Sequence, residues 1–190
     1  MAWIDGLDIP LQYTIDAQFF EFGRDAIYEE ERITPERSRS EKLWGHPGLK
    51  PVGVTPTGGG SPLLSYKWSH TDRALTDQLD LERAGYGGRL QPGHAAVRYT
   101  DPSTAAMCLP TVRAELHRIV SGAETTPIRE TGSSIYQVFD GSGRVTVGAR
   151  TWSVERGDLF VVPSWEAFSA GIDGVILGLR LQFARLVLFQ

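Results

Sequence analysis

The chain has 190 residues, 41% of them hydrophobic and 22% charged, with a formal net charge of −4; that is the make-up of an ordinary soluble domain with room for extra segments. The acidic balance excludes an electrostatic nucleic-acid footprint, which needs clustered Lys and Arg, and no stretch is apolar and unbroken enough for a convincing membrane span. A single cysteine, Cys108, excludes an internal disulfide, and together with an opening segment that lacks a basic-then-apolar leader it points to the cytoplasm.

In chain order, residues 2–7 read as a strand running into an acidic turn at Asp5, and Phe19-Phe20 forms an aromatic cluster after it. Residues 24–62 read as a connection. Glu29, Glu30 and Glu31 make a solvated run, and Pro35, Pro47, Pro51, Pro56 and Pro62 with Gly58, Gly59 and Gly60 argue against long regular elements. The triple glycine has no Lys-Ser/Thr after it and is a loop, not a phosphate cradle. Leu63, Leu64, Tyr66 and Trp68 suit a strand over 61–68. Thr71-Asp72 then opens a helix that reaches about Ala84, with Leu75, Leu79 and Leu81 as its apolar stripe and Gly85 as its stop.

Residues 95–100 and 111–120 read as strands separated by the Asp101-Pro102 break. Beyond them come short alternations: Tyr136/Val138, Val145/Val147, Trp152/Val154 and Phe160/Val162. Glycine turns are expected between them, at 140–143 and at Gly157-Asp158. Period-two alternation broken at such short intervals is the pattern of antiparallel strands in a sandwich or barrel. Residues 171–190 are apolar, interrupted by glycine and arginine; they read as an atypical tail, either a buried terminal strand pair or an exposed adhesive segment. The expected fold class is therefore mainly β, with one or two short helices and a long N-terminal connecting segment.

The glycines of this stretch carry a further signal. Gly122 with Gly141, and Gly157 with Pro163, are spaced like the two motifs of the cupins, small jelly-roll β-barrels. On that spacing the motif-one histidine positions fall on Ile128 and Glu130, its glutamate position on Ser134, and the motif-two histidine position on Phe168; Trp165 replaces a glycine. His-x-His on a strand works because alternate side chains share one face and aim at one metal. Isoleucine and phenylalanine have no lone pair to donate, and one carboxylate cannot hold a metal ion alone. The spacing thus predicts a metal-free cupin barrel with vacated ligand positions at Ile128, Glu130 and Phe168.

Other chemistry is thinly supported. His46, His70, His94 and His117 have no metal-binding spacing; a rescued site from His94, His117 and Glu130 on neighbouring strands is the alternative to histidines packed or hydrogen-bonded at strand ends. Cys108 could pair with His117 as a thiolate nucleophile, or be an ordinary buried cysteine. Ser133-Ser134 lies in no G-x-S-x-G elbow.

Longer blocks carry a closer resemblance. The segment Trp3-Ile4-Asp5-Gly6-Leu7-Asp8-Ile9-Pro10-Leu11 is followed by Phe19-Phe20-Glu21, Arg37-Ser38-Arg39-Ser40-Glu41 and Leu43-Trp44-Gly45-His46-Pro47-Gly48. Further on stand Trp68-Ser69-His70-Thr71-Asp72-Arg73 and Gly93-His94-Ala95-Ala96-Val97-Arg98-Tyr99. Over about residues 1–170 this resembles the C-terminal half of gentisate 1,2-dioxygenases. The resemblance implies a bicupin, usually homo-oligomeric, whose first cupin holds Fe(II) with three histidines and uses O2 to open the ring of gentisate, giving maleylpyruvate. It implies a structural second cupin, and it matches Asp5 and Phe20 to residues that approach the substrate.

The domain organisation that follows is the end of a lost first cupin with its acidic and aromatic turn (1–23), a Pro/Gly-rich linker (24–62), a second, metal-free cupin barrel (63–170) and the atypical tail (171–190). Such a chain would hold no cofactor of its own and be inactive alone. Its expected partners are a small aromatic acid, in the full-length family, and a second copy or a metal-bearing cupin subunit.

Overall fold

The computed structural model describes residues 9–16, 37–56, 60–86, 88 and 90–181. Among them are three α-helices, α1 (Ile9–Thr14), α2 (Arg39–Trp44) and α3 (Trp68–Leu81), and six strands: β1 (His94–Arg98), β2 (Val112–Ile119), β3 (Ser134–Val147), β4 (Arg150–Glu155), β5 (Leu159–Val162) and β6 (Phe168–Leu181). All strand pairs are antiparallel, in the order β1-β2-β6-β3-β4, with β5 on the free side of β3's first half. The class is mainly β and the architecture is that of a cupin barrel. The helices number three rather than one or two.

The long strands β3 and β6 pair along nearly their whole length and form the spine. The expected glycine turn at 140–143 is not a turn. The chain continues through it, with a bulge between Val138 and Asp140. The glycines are there because two backbones nearly touch: a Cβ on Gly141 would lie 1.9 Å from the Asp173 carbonyl oxygen, and one on Gly143 would lie 2.2 Å from that of Gly171. Only glycine permits that approach. The hairpin reversal falls instead at Gly148, whose φ of 60° is left-handed.

The sheet has two faces. On the inner face, Ile119, Tyr136, Val138, Val145, Val154, Val162, Phe168, Ala170, Ile172 and Ile176 form one core. On the outer face, Leu116 and Val175 meet Ala95 and the α3 side chains Leu75 and Leu79 in a second core. The buried stripe of α3 is therefore Thr71, Leu75 and Leu79, spaced four apart on one face; Leu81, expected to share it, is half-exposed. The helix starts at Trp68, with Lys67 at its N-cap, and ends at Leu81, after which a wider irregular turn over Glu82–Tyr86 reaches Gly85 at φ 80°.

Three other expectations need correction. Residues 61–67 form no strand; this segment is held by side-chain hydrogen bonds, such as Tyr66 Oη donating to the Thr100 carbonyl at 2.7 Å. The segment 24–62 is not all irregular: Ser38 and Glu41 make a reciprocal capping box that starts α2 and seats buried Trp44. The 170/171 boundary cuts through β6, which lies between β2 and β3, so 171–181 is a central strand of the sheet, as the buried-strand reading of this segment has it, and not an exposed tail. Residues 182–190 lie outside the described residues. So does the strand expected at 2–7, and Ile9–Thr14 after it is a short helix.

Candidate functional site

Of the positions that the cupin spacing reserves for metal ligands, the structure pairs two, Ile128 and Phe168, and gives Glu130 other partners. Ile128 and Phe168 are direct antiparallel partners, with Ile128 N–H donating to the Phe168 carbonyl at 3.0 Å and the reverse bond at 2.9 Å. Phe168 is buried and stacks on Tyr136, ring centroids 4.6 Å apart, while Ile128 is nearly half-exposed. Gly178 faces the Tyr136 ring, where a Cβ would meet Cε1 at 2.6 Å. Trp165, in place of the motif glycine, keeps the backbone that the glycine would have: its φ is 67°, and its N–H donates to the Glu130 carbonyl at 2.8 Å.

Glu130 takes part in an ion-pair cage. Arg113 Nη2 donates to Glu130 Oε2 at 3.0 Å, and the Arg180 guanidinium closes on the same oxygen. Arg180 also donates to the Thr131 carbonyl. A second carboxylate, Glu115, lies 3.3 Å from Arg113 Nε and accepts from Arg98 Nε at 2.7 Å. Arg113, Glu115 and His117 alternate along β2, and their partners in register on β6 are Arg180, Gly178 and Ile176. Strand periodicity therefore puts all of them on the inner face. Burial alone would raise the Glu130 pKa, but the Arg180 hydrogen bond and the charges of Arg113 and Arg180 outweigh it and hold the carboxyl below its ordinary range.

The alternative grouping of His94, His117 and Glu130 is not what the strands assemble; the two histidines are hydrogen-bonded on neighbouring strands. His94 Nε2 lies 3.1 Å from His117 Nδ1, so one ring donates to the other, and His94 Nδ1 meets Gln91 Oε1 at 3.2 Å. The carboxylate beside His117 Nε2 is Glu115, at 3.9 Å; Glu130 belongs to the arginines. Burial lowers the His94 pKa to about 4, with the neighbouring His117 adding to the fall, and burial likewise lowers that of His117. Both imidazoles are neutral near pH 7. Tyr136, beneath them, is pushed up to about 12 by burial and then by the Glu115 carboxylate.

Held against the needs of Fe(II), this set does not fit. A protein metal site of this kind needs about three donors converging on one point. Among the described residues no group of three His, Cys, Asp or Glu could hold a metal ion. Ile128 and Phe168 donate nothing, and Glu130 would have to abandon two guanidiniums to serve. Cys108 lies in the 101–108 loop, with Tyr66 and Asp101 as its electrostatic neighbours and burial raising its pKa; no contact with His117 activates it. Asp5 and Phe20, the candidate substrate-pocket residues, lie outside the described residues. Arg113, Glu115, Tyr136 and Arg180 escaped the reading of the sequence. The Arg-x-Glu-x-His alternation in 113–117 was the available signal, since it puts three ionisable side chains on one face of a strand.

No family model matches the chain. It is 54% identical over 165 residues to a gentisate 1,2-dioxygenase from Streptomyces sp, covering 87% of this chain and 45% of that protein. It is 30% identical over 167 residues to a 5-aminosalicylate 1,2-dioxygenase from Comamonas sp, covering 87% of this chain and 41% of that one. Among solved structures, the salicylate 1,2-dioxygenase of Pseudoaminobacter salicylatoxidans with gentisate superposes with a TM-score of 0.82 at 43% identity, covering 91% of this chain and 47% of that one. The chain spans about half the length of the relatives it matches. Over that half, its sequence and its fold place it in the family of gentisate and salicylate 1,2-dioxygenases.

Proposed function

We propose that this chain is the metal-free, second-barrel part of a gentisate 1,2-dioxygenase-type protein, cytoplasmic and active in ring cleavage only beside a histidine-bearing cupin. The supporting observation is the occupancy of the three reserved positions: an aliphatic side chain at Ile128, an arginine-clamped carboxylate at Glu130 and a stacked ring at Phe168. In this reading Fe(II) and O2 chemistry belong to the other barrel, and Asp5 and Phe20 reach its substrate, a small hydroxylated aromatic acid. The substrate class is suggested by relatives named for gentisate, salicylate and 5-aminosalicylate. The ion-pair cage in place of a metal keeps β2 and β6 in register at the mouth of the barrel.

The test is oxygen uptake with gentisate and added Fe(II), using the purified 190-residue chain alone and after coexpression with the histidine-bearing half of a relative. The expected result is no turnover and no stoichiometric iron for the chain alone, and turnover in the coexpressed pair. Iron-dependent gentisate cleavage by the chain alone would refute it.

A second reading, a non-catalytic assembly module that docks on a metal-bearing cupin subunit or on a copy of itself, draws on the outer face of the sheet. There Leu159 and Val161 on β5 stand 57% exposed beside Ile135 on β3 at 39%, an apolar strip that α3 leaves uncovered. A chain that copurifies with such a subunit, yet leaves its turnover unchanged, would favour this reading.

A further inference from the structure

A cavity of about 710 Å³ lies away from the barrel interior, between α2 and the loop that follows it, the 63–67 segment, the first turns of α3, and β1. Its walls are built, not incidental. Trp44, the last residue of α2, is buried, and Tyr66 and Tyr99 meet edge-to-face with centroids 5.2 Å apart. Each tyrosine hydroxyl is pinned, Tyr66 to the Thr100 carbonyl at 2.7 Å and Tyr99 to the Thr71 hydroxyl at 3.1 Å. Leu49, Leu63 and Val97 add apolar surface. A rigid aromatic wall of this kind favours a flat apolar ligand, because little side-chain freedom is lost when it binds.

The polar lining has one sign. Arg37, Lys50, Lys67 and Arg98 line the cavity with His46 and His70, against a single carboxylate, Glu41. Two of those cations are already neutralised: Lys67 Nζ lies 3.3 Å from Glu41, and Arg98 is bound to Glu115. Lys50 spends one of its three hydrogens on the Ser103 carbonyl, at 3.0 Å, and Arg37 is paired with no carboxylate among the described residues. That leaves two positive charges beside an apolar slot.

We propose that this cavity binds an organic anion with a flat apolar body and a carboxylate, of the aryl or fused-ring carboxylate class, the ring against Trp44, Tyr66 and Tyr99 and the carboxylate toward Arg37 and Lys50. The site is separate from the barrel interior, and the inference does not depend on the ring-cleavage reading.

The experiment is calorimetric titration of the full chain with 2-naphthoate and with its neutral isostere 2-naphthamide. The acid should bind saturably and more tightly than the amide, and its advantage should shrink as salt rises, since exposed charges are screened. The double variant Arg37→Gln/Lys50→Gln should weaken naphthoate by about tenfold, the effect of losing one charge-assisted contact, and leave naphthamide unchanged. Both positions are exposed, so the fold should survive, and unchanged urea melts would verify that. Ser65→Trp, at another exposed lining position, should block both probes by filling the slot. Equal binding of acid and amide, an unchanged double variant, or no saturable binding up to about 5 mM, near the weak limit of small-ligand affinities, would each overturn the proposal.

Discussion

The ion-pair cage around Glu130 makes a prediction that can be worked from the structure. Glu130→Ala removes the carboxylate shared by Arg113 and Arg180. Arg180 is only 6% exposed and would keep the Thr131 carbonyl as an acceptor; Arg113 would keep Glu115. Removing one partner of a fully buried pair typically costs about 3–5 kcal/mol, because the other charge stays desolvated. Glu130 itself is about one-third exposed and Arg113 retains a carboxylate, so a loss of about 2–3 kcal/mol is expected. In a domain of this size that lowers Tm by roughly 4–12 °C. The assay is urea unfolding of Glu130→Ala, Glu130→Leu, Arg180→Met and Glu130→Leu/Arg180→Met. The double variant should recover part of the loss, since replacing a buried ion pair by apolar side chains is often near neutral. A loss below about 1 kcal/mol for Glu130→Ala, or single-variant losses that simply add in the double, would show that the cage holds nothing together.

The remaining predictions concern pH, backbone and packing. His94 has a folded pKa of about 4 against an ordinary 6.5, so the unfolded chain takes up its proton first as pH falls. Its contribution is complete above pH 6.5 and is lost progressively toward pH 4, about 2–3 kcal/mol after allowing for its partial exposure; urea melts at pH 7 and 4.5 should show a smaller difference in His94→Gln. Trp165→Gly should be neutral to stabilising by about 1 kcal/mol, because a left-handed φ favours glycine at a site where the indole is mostly exposed; a clear loss in melting temperature would mean the indole packs on something that offsets the strain. Gly143→Val should abolish soluble folded protein, since its Cβ would strike the Gly171 carbonyl, and a wild-type circular dichroism melt would contradict the crossing described above. Leu75→Ala, at a fully buried position of α3, should cost about 2–4 kcal/mol in the same urea assay.

What could be read from the sequence was what short-range periodicity encodes. The alternations at 136/138, 145/147, 152/154 and 160/162 all lie in strands, and Leu75 and Leu79 do face the core. The failures have a common cause: residues whose meaning depends on a distant partner. Gly141 and Gly143 look like turn residues until Gly171 and Asp173 are beside them. The 171–181 segment looks like a tail because a strand paired on both edges is apolar almost throughout and lacks the polar alternation of a surface strand. Arg180 within that apolar run has no local meaning; its reason is Glu130, fifty residues away on the chain. Leu64, Tyr66 and Trp68 alternate like a strand, yet the backbone there spends its hydrogen bonds elsewhere, and Trp68 opens a helix.

These two kinds of signal separate around Ile128, Glu130 and Phe168. Gly141, Gly143, Gly157 and the left-handed backbone at Trp165 answer to strand crossing and chain reversal, which the barrel needs whether or not an ion sits inside it. The ligand positions answer only to the ion. The inner face still has to tie β2 to β6, and opposite charges there can do so without a bound ion. Arg113 lies directly opposite Arg180 in the β2–β6 register, a pairing that would repel. Glu130, arriving from the segment before β3, turns that repulsion into a bridge. Glu130 is therefore the link that makes two facing arginines tolerable, and a histidine placed at 130 would leave Arg180 buried without a carboxylate, while Arg113 would keep Glu115.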